Sequence, residues 1–516
     1  MSRLCLSLTA STIDGNLAAL ERYRDTVDLC ELRVDCLEPQ EWFAIRRFPR
    51  LAGMPVILTV RRKADGGMFE EGEGVRLVIL AKGISFASQD PHRNFAYIDI
   101  ESDFRIPALE EAARTFGTRI IRSMHFPKGM PDDLDATWRQ LEADPAEIPK
   151  LAATPHGIED LTALFRYFAD LPHSERVVVG MGDYGFCTRV LAEGLGSSIT
   201  YSSALAAGLR SAGPGHVDPA VLDGTYRWRQ IGRDFAVFGI LGGSSVLGSL
   251  SPAIHNAGFA ARDLKAVYLP FPADSIERFL ELADFLHLRA FSVTVPFKER
   301  ILPWLVERTT EVDAIGACNT VVRSAQGWTG ANTDSVGFEK ALFEFLGTAD
   351  LAGLPCAIIG AGGAARAVAW VLSRLGAEVC VVNRNMTRAK ALAERFGFEW
   401  SGMTERAVEL LSRHKSLIVQ CTTVGMEGGP PGDPLDWYDF DGSESVFDTI
   451  YNPAVTPFLA RARAAGCRTA GGIGMLRHQA EAQFVRFTGL EYPAGAADEV
   501  LAAAIRGGKT KEENHT

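Results

Sequence analysis

The sequence lacks any apolar run near the ~20 residues that cross a bilayer, so no helical membrane span is expected. Its nine cysteines are scattered, odd in number and form no Cys-x-x-Cys pair. That excludes a disulfide framework and a cysteine zinc site, and it fits reduced thiols. Net positive charge is lacking too, with a formal charge of −11 and a pI near 5.5. Such a surface is wrong for nucleic acid or an anionic membrane, so neither partner is expected. Met1-Ser2-Arg3-Leu4-Cys5 runs straight into a strand-like stretch without a signal-peptide layout, which points to the cytoplasm. No cluster of ligand residues has metal-site spacing, and no metal is expected. What is present is a chain of 516 residues, 47% hydrophobic and 23% charged, which suits two or three globular domains.

The first half is organised around Val27-Asp28-Leu29-Cys30-Glu31-Leu32-Arg33-Val34-Asp35. Apolar residues recur there at every second place, the period of a strand. Glu31, Arg33 and Asp35 would share one face, and Leu32 and Val34 the other. A half-exposed edge strand would look the same, so the neighbours decide. Strand-like runs recur at Arg3–Thr9, Val27–Asp35, Pro55–Arg62, Asn94–Glu101, Arg119–His125, Glu147–Ala153, Arg176–Gly182 and Ser197–Ala204. Segments with helical periodicity, such as Ile106–Phe116 and Ile158–Leu171, lie between them. Eight β–α alternations predict an α/β fold, a (β/α)8 TIM barrel, whose site lies at the C-terminal strand ends. Those ends carry Glu31, Arg33, Asp35, Thr59, Arg61, Asp99, Glu101, Ser123, His125 and Lys150, with Arg189 after the seventh strand.

Lys150 lies in the apolar run Glu147-Ile148-Pro149-Lys150-Leu151-Ala152-Ala153. A buried amine has a lowered pKa and can attack a ketone, and the imine so formed acidifies the neighbouring carbon. His125, one strand away, suits the proton transfer. A structural Lys–Glu pair is the alternative.

Glu31-Leu32-Arg33-Val34-Asp35, Thr59-Val60-Arg61, Ser123-Met124-His125-Phe126, the Lys150 strand and Gly182–Arg189 together resemble the type I 3-dehydroquinate dehydratases. The resemblance covers residues 1–223. It implies that Lys150 forms the Schiff base, that His125 moves the proton as water is lost, and that Glu31 orients His125. It also implies that Arg33, Arg61 and Arg189 bind the substrate's hydroxyls and carboxylate, with Ser7 nearby. The family's closing Ser-Ala-Pro-Gly-Gln is here Ala212-Gly213-Pro214-Gly215-His216, so His216 stands where a glutamine meets a substrate hydroxyl.

Residues 224–232 read as a short joint, and Phe235–Leu241 as a new strand. Ser251-Pro252 reads as a helix N-cap followed by Pro at the first helical position. Phe291–Lys298 puts a lysine at a turn after a strand. Asn319, Thr320, Asn332, Thr333 and Asp334 add amides, hydroxyls and a carboxylate. That inventory suits a small polyhydroxylated substrate with one proton to move. Cys356–Ile359, the turn Gly360-Ala361-Gly362-Gly363-Ala364-Ala365-Arg366, a helix over Ala367–Leu375 and a strand over Glu378–Val382 form a βαβ unit. Its glycines let backbone approach a pyrophosphate at the helix N-terminus; a plain packing turn is the alternative. The second strand ends at Asn383-Arg384, with Arg388 beyond. Cations without an acid favour the 2′-phosphate of NADP.

Ser249-Leu250-Ser251-Pro252, Val293–Lys298, Asn319-Thr320, Asn332-Thr333-Asp334, the glycine turn and Gly472-Ile473-Gly474-Met475-Leu476-Arg477-His478-Gln479 together resemble the shikimate dehydrogenases. The resemblance runs from about Phe235 to Gly507. It implies a substrate-binding domain over 233–334, a Rossmann NADP-binding domain over 335–471 and a C-terminal return over 472–507. Residues 508–516 are expected to form a disordered tail. The resemblance places Ser249, Ser251, Thr294, Asn319, Tyr451 and Gln479 around the substrate, with Lys298 and Asp334 as the proton-transfer pair. Around NADP it places Gly360, Ala361, Gly362, Gly363, Ala364, Asn383, Arg384, Arg388, Gly472 and Met475. Two positions depart: Gly248 stands where the family has His, and Asn385 where it has Thr.

The two resemblances imply a bifunctional enzyme, monomeric or homodimeric. It would dehydrate 3-dehydroquinate and reduce the product, 3-dehydroshikimate, to shikimate with NADPH. The alternatives are a quinate-using catabolic enzyme and a metabolite-sensing regulator. Ser249 and Ser251 favour shikimate, and the presence of Lys150, His125, Lys298 and Asp334 speaks against a regulator.

Overall fold

The computed structural model describes residues 2–85, 93–172 and 174–503, so the expected tail over 508–516 lies outside the described residues. By its contacts the chain forms two compact units. The first runs to Phe235 and takes in Phe271–His287; the second holds Ala236–Pro270 and continues from Leu288.

In the first unit all eight expected strands form. They are β1 (Arg3–Leu8), β2 (Leu29–Arg33), β3 (Val56–Thr59), β4 (Tyr97–Glu101), β5 (Arg119–Phe126), β6 (Ile148–Ala153), β7 (Val177–Gly180) and β8 (Ile199–Ser203). Neighbours pair in parallel in the order β7-β6-β5-β4-β3-β2-β1-β8. Between β7 and β8 the ring is joined by a parallel bridge from Arg176 to Ser197, where the Val178 N–H donates to Ser197 Oγ at 2.9 Å. Every residue of β2, β3, β4, β6, β7 and β8 is buried. One strand face meets the helices and the other fills the barrel, so the edge-strand reading of the Val27–Asp35 run fails.

One expectation is overturned in this unit. β2 ends at Arg33, and Val34–Cys36 wind into a short 3-10 turn. Asp35 therefore does not extend the strand face; its carboxylate folds back onto the Arg33 guanidinium at 2.7 Å. The joint over 224–232 is packed onto the barrel. Trp228 Nε1–H donates to the Arg189 carbonyl at 3.0 Å, and Tyr226 packs on Phe186 with ring centroids 5.4 Å apart.

The second unit contains two six-stranded sheets. The first comprises β9 (Ala236–Gly242), β10 (Ala266–Pro272), β11 (Ala290–Val293), β12 (Glu307–Arg308), β13 (Thr320–Arg323) and β14 (Trp328–Ala331). It is mixed: β9 and β11 run parallel, whereas β13 is antiparallel to both β11 and β14. The second comprises β15 (Pro355–Ile359), β16 (Glu378–Val382), β17 (Glu399–Ser401), β18 (Leu417–Gln420), β19 (Ser445–Asp448) and β20 (Arg468–Ala470). It is parallel throughout, in the order β17-β16-β15-β18-β19-β20. Ile358, Val381 and Val419 pack with Leu372 on one face, and Ile359, Val382 and Ile418 with Leu410 on the other. The strand order reverses between β15 and β18, which is where such sheets bind ligands.

Two helix starts also differ from expectation. Ser251 lies inside the helix Ser251–Ala261 and does not cap it. Leu250 is already helical, so the hydroxyl one residue further back does the capping: the Ser251 N–H donates to Ser249 Oγ at 3.2 Å. The helix after the glycine turn spans Gly363–Arg374, beginning within the glycine motif. Among the described residues no helix is long and apolar enough to cross a membrane, and no three His, Cys, Asp or Glu are grouped to hold a metal ion.

Candidate active sites

Lys150 on β6 is 4% exposed. Its Nζ donates to Asp99 Oδ2 at 2.7 Å and to Tyr201 Oη at 3.1 Å. Asp99 comes from β4 and Tyr201 from β8, so parallel pairing brings together residues far apart in sequence. Asp99 also binds Arg61 Nη2 at 2.9 Å and accepts from Ser123 Oγ at 2.6 Å. Burial pushes its carboxyl pKa up, but Arg61, Lys150 and His125 outweigh burial and hold it well below the usual range.

Arg61 Nη1 donates to Glu101 at 2.6 Å and lies 3.1 Å from His125 Nδ1. A guanidinium can only donate, so Nδ1 is the acceptor and the imidazole is neutral, with its proton on Nε2. Burial, then Arg61 and Lys150, hold the His125 pKa well below 6.5. The expected Glu31–His125 contact is absent among the described residues. Glu31 instead accepts from Ser7 Oγ at 2.6 Å and Thr59 Oγ1 at 2.9 Å. Hydroxyls on the flanking strands take its oxygens, and Arg61 takes its place beside the histidine.

The remaining arginines differ from each other. Asp35 clamps Arg33 at 2.9 and 2.7 Å, and Arg33 Nη1 donates to the Ala212 carbonyl at 3.0 Å. Arg189, 1% exposed, has no carboxylate among the described residues. It donates to the carbonyls of Tyr201 at 3.2 Å and Pro214 at 3.1 Å, and its Nε is unpartnered. Burial lowers its pKa to about 9. A buried cation held only by carbonyls lacks an anion. On the closing loop, His216 Nδ1 lies 2.9 Å from Ser203 Oγ, which also accepts the Ala212 N–H at 2.9 Å. Ser203 thus supplies a hydroxyl to a loop that has none at 212. Burial, then Arg189, keep His216 neutral.

In the second unit, Lys298 Nζ donates to Asp334 Oδ2 at 2.5 Å. Asp334 opens the helix Asp334–Leu346, where the positive end of the dipole favours a carboxylate. Asn319 Nδ2 donates to Asp334 Oδ1 at 2.8 Å, while its Oδ1 accepts the Thr333 N–H at 2.8 Å. Gln479, on the helix Ile473–Thr488, brings Oε1 to 3.5 Å from Asn319 Nδ2. Tyr451 hydrogen-bonds Ser249, and burial raises its phenol pKa. Ser251 is buried, and Thr294 is fixed at the end of β11 by its N–H on the Leu241 carbonyl at 2.9 Å.

The glycine turn fits a dinucleotide. Gly360 has φ +117, and a Cβ there would sit 3.1 Å from the Cys421 carbonyl carbon. The helix Gly363–Arg374 has no side-chain cap, so among the described residues no capping side chain covers its N-terminus. A Cβ on Gly362 would meet nothing within 4 Å, and one on Gly363 would lie 3.0 Å from Lys298 Cδ. The turn therefore has open space before an uncapped helix end, and it lies beside the lysine. Ala361 is buried beneath the turn, and Ala364 lies in the first helical turn. Arg384 and Arg388 are exposed and have no carboxylate partner among the described residues. Asn383 Nδ2 donates to the Asn385 carbonyl at 2.9 Å, and Asn385 caps the helix Met386–Phe396 through the Arg388 N–H at 3.1 Å. Gly472 and Met475 have packing roles: Gly472 is the N-cap of Ile473–Thr488, and Met475 is buried with Phe338 and Phe447.

Sequence reasoning assigned no role to two residues that touch Lys150. Asp99 was one of several strand-end acids, with nothing local to single it out. Tyr201 carried a usable signal: the period of two sets its ring on the face of Ser203, so a hydroxyl points into the barrel.

Compared with known proteins, residues 4–233 match the type I 3-dehydroquinase family. Residues 241–321 match the shikimate dehydrogenase substrate binding domain, and 345–423 the shikimate / quinate 5-dehydrogenase family. A chloroplastic bifunctional 3-dehydroquinate dehydratase/shikimate dehydrogenase of Arabidopsis thaliana is 28% identical, covering 95% of this chain and 83% of that protein. A shikimate dehydrogenase (NADP(+)) of Syntrophobacter fumaroxidans is 35% identical, over 53% of this chain and 94% of that protein. One from Oleidesulfovibrio alaskensis is 39% identical, over 50% and 92%. The chain belongs to the shikimate dehydrogenase family through its second half, and its first half is a type I 3-dehydroquinase domain.

Proposed function

We propose that the chain carries out two consecutive steps: loss of water from 3-dehydroquinate in the barrel, then NADPH-dependent reduction of 3-dehydroshikimate to shikimate in the second unit. The observation that carries this reading is a lysine–carboxylate centre in each unit, Lys150–Asp99 and Lys298–Asp334. In the barrel, Lys150 forms an imine with the substrate ketone. Neutral His125 takes a proton from the adjacent carbon and returns one to the leaving hydroxyl. Arg189, without a carboxylate partner among the described residues, receives the carboxylate as a two-pronged donor. Arg33, Arg61, Glu31, Ser7 and His216 meet the ring hydroxyls.

In the second unit, Ser249, Ser251, Thr294, Asn319, Tyr451 and Gln479 hold the substrate. Lys298, steadied by Asp334, gives a proton to the oxygen where negative charge develops. NADPH supplies a hydride when bound. Gly360 to Ala364 would face its pyrophosphate, with Gly472 and Met475 close by, and Asn383, Arg384 and Arg388 its 2′-phosphate. The test supplies 3-dehydroquinate and NADPH to the purified chain and looks for shikimate. Accumulation of neither 3-dehydroshikimate nor shikimate would refute the reading.

A further inference from the structure

We propose that Tyr201 is a further catalytic residue of the barrel: its hydroxyl carries protons from Lys150 Nζ to the ketone oxygen as the imine forms. This rests on the imine reading above. Among the described residues Nζ has two hydrogen-bond partners, Asp99 Oδ2 at 2.7 Å and Tyr201 Oη at 3.1 Å. His125 is not one of them, so the group assigned to proton transfer at carbon does not touch the reacting nitrogen.

The step balances without a co-reactant. A protonated amine and a ketone give an iminium ion and water: the N–C bond forms, the C–O bond breaks, and the positive charge is conserved. Two of the three protons on nitrogen leave with the ketone oxygen, and both must cross from N to O. Asp99 is a poor carrier. It is an acceptor already committed to Arg61, at 2.9 Å, and to Ser123, at 2.6 Å. A phenol both accepts and donates. Tyr201 accepts from Nζ, and among the described residues no acceptor takes its own proton. It can receive a proton from nitrogen while passing its own to the oxygen, and then repeat the transfer. Burial keeps the phenol protonated at working pH. Nζ also lies 4.2 Å from the Tyr201 ring centroid, and the side chain is 3% exposed, so the hydroxyl is held beside the nitrogen.

The alternative is a tyrosine that merely satisfies a buried lysine. Tyr201→Phe separates the two, since it keeps the ring and removes one oxygen. The full chain is mixed with 3-dehydroshikimate, quenched with borohydride at increasing times, and the mass added at Lys150 is measured. We expect trapping to slow by roughly 10²-fold in the variant yet reach the wild-type extent, which also establishes that its barrel is folded. The primary isotope effect for substrate deuterated at the abstracted proton should shrink, because imine formation becomes rate-limiting. A wild-type trapping rate with an unchanged isotope effect overturns the proposal. Failure of the wild-type chain to trap at all would instead overturn the imine reading beneath it.

Discussion

Lys150 and Lys298 each touch a carboxylate, at 2.7 and 2.5 Å, but the carboxylates differ in their other partners. Asp99 is shared among Lys150, Arg61 and Ser123, so its charge is fixed by a network that outlasts the loss of any one partner. Among the described residues Asp334 has Lys298 as its one cationic partner and accepts from the neutral amide of Asn319, so a proton can move between Lys298 and Asp334 without disturbing a second ion pair. The first arrangement suits an amine that must become covalently bound while its surroundings stay rigid. The second suits a reversible proton donor. The lysine side chains are 5% and 15% exposed, consistent with a sealed nucleophile and a more accessible acid.

The sharpest way to break this comparison is to remove each lysine. Lys150→Ala should lower dehydration of 3-dehydroquinate by on the order of 10⁴-fold or more, while supplied 3-dehydroshikimate is still reduced. Lys298→Ala should lower the reduction by roughly 10²–10⁴-fold and leave dehydration intact. Separate assays of the two steps check both, and loss of both activities in either folded variant would mean the sites are not independent. Arg189→Met should raise the KM for 3-dehydroquinate by roughly 10²-fold with a smaller change in kcat, as expected when a buried charge partner worth about 2–5 kcal/mol is lost. Arg384→Ala should cost about 1.5–3 kcal/mol of NADPH binding and leave NADH binding nearly unchanged; titration of both nucleotides tests it.

The smallest effect concerns pH. His125 and His216 are held neutral in the folded chain, and burial lowers His255 to about 4. Unfolded histidines titrate near ~6.5, so below that value the unfolded chain binds more protons than the folded one. Stability from these residues is therefore complete above pH ~6.5 and lost as pH falls through their depressed folded values. Thermal melts between neutral and acidic pH should show this loss, and the acid limb of dehydratase kcat/KM should lie below ~6.5. A limb at the ordinary histidine value would contradict the geometry around His125.

Much of the architecture was legible because its signals are local. Eight apolar runs at strand length predicted eight strands, and the glycine spacing before Gly363 predicted a strand–turn–helix unit. Boundaries were less legible. The alternation through Asp35 suggested a longer β2, but an ion pair to Arg33 turns the chain. Ser251 looked like a cap because Pro252 follows it, yet Leu250, already helical in its backbone angles, holds the N-cap position. At the sites the residue types were legible and their partners were not, as Glu31 demonstrates by bonding Ser7 and Thr59 while Arg61 meets His125.

The sequence by itself determined the order and kind of elements and which reactive side chains stand at strand ends, since periodicity and turn chemistry act over a few residues. The tertiary structure alone decided which charges cancel: Asp35 against Arg33, Asp99 and Glu101 against Arg61, and, among the described residues, no acid against Arg189. It also decided that Tyr201, fifty-one positions away in the chain, touches Lys150. Such pairings depend on separations of a few ångströms across strands, and electrostatic and hydrogen-bond energies vary steeply over that range. Spacing along the chain does not encode those distances.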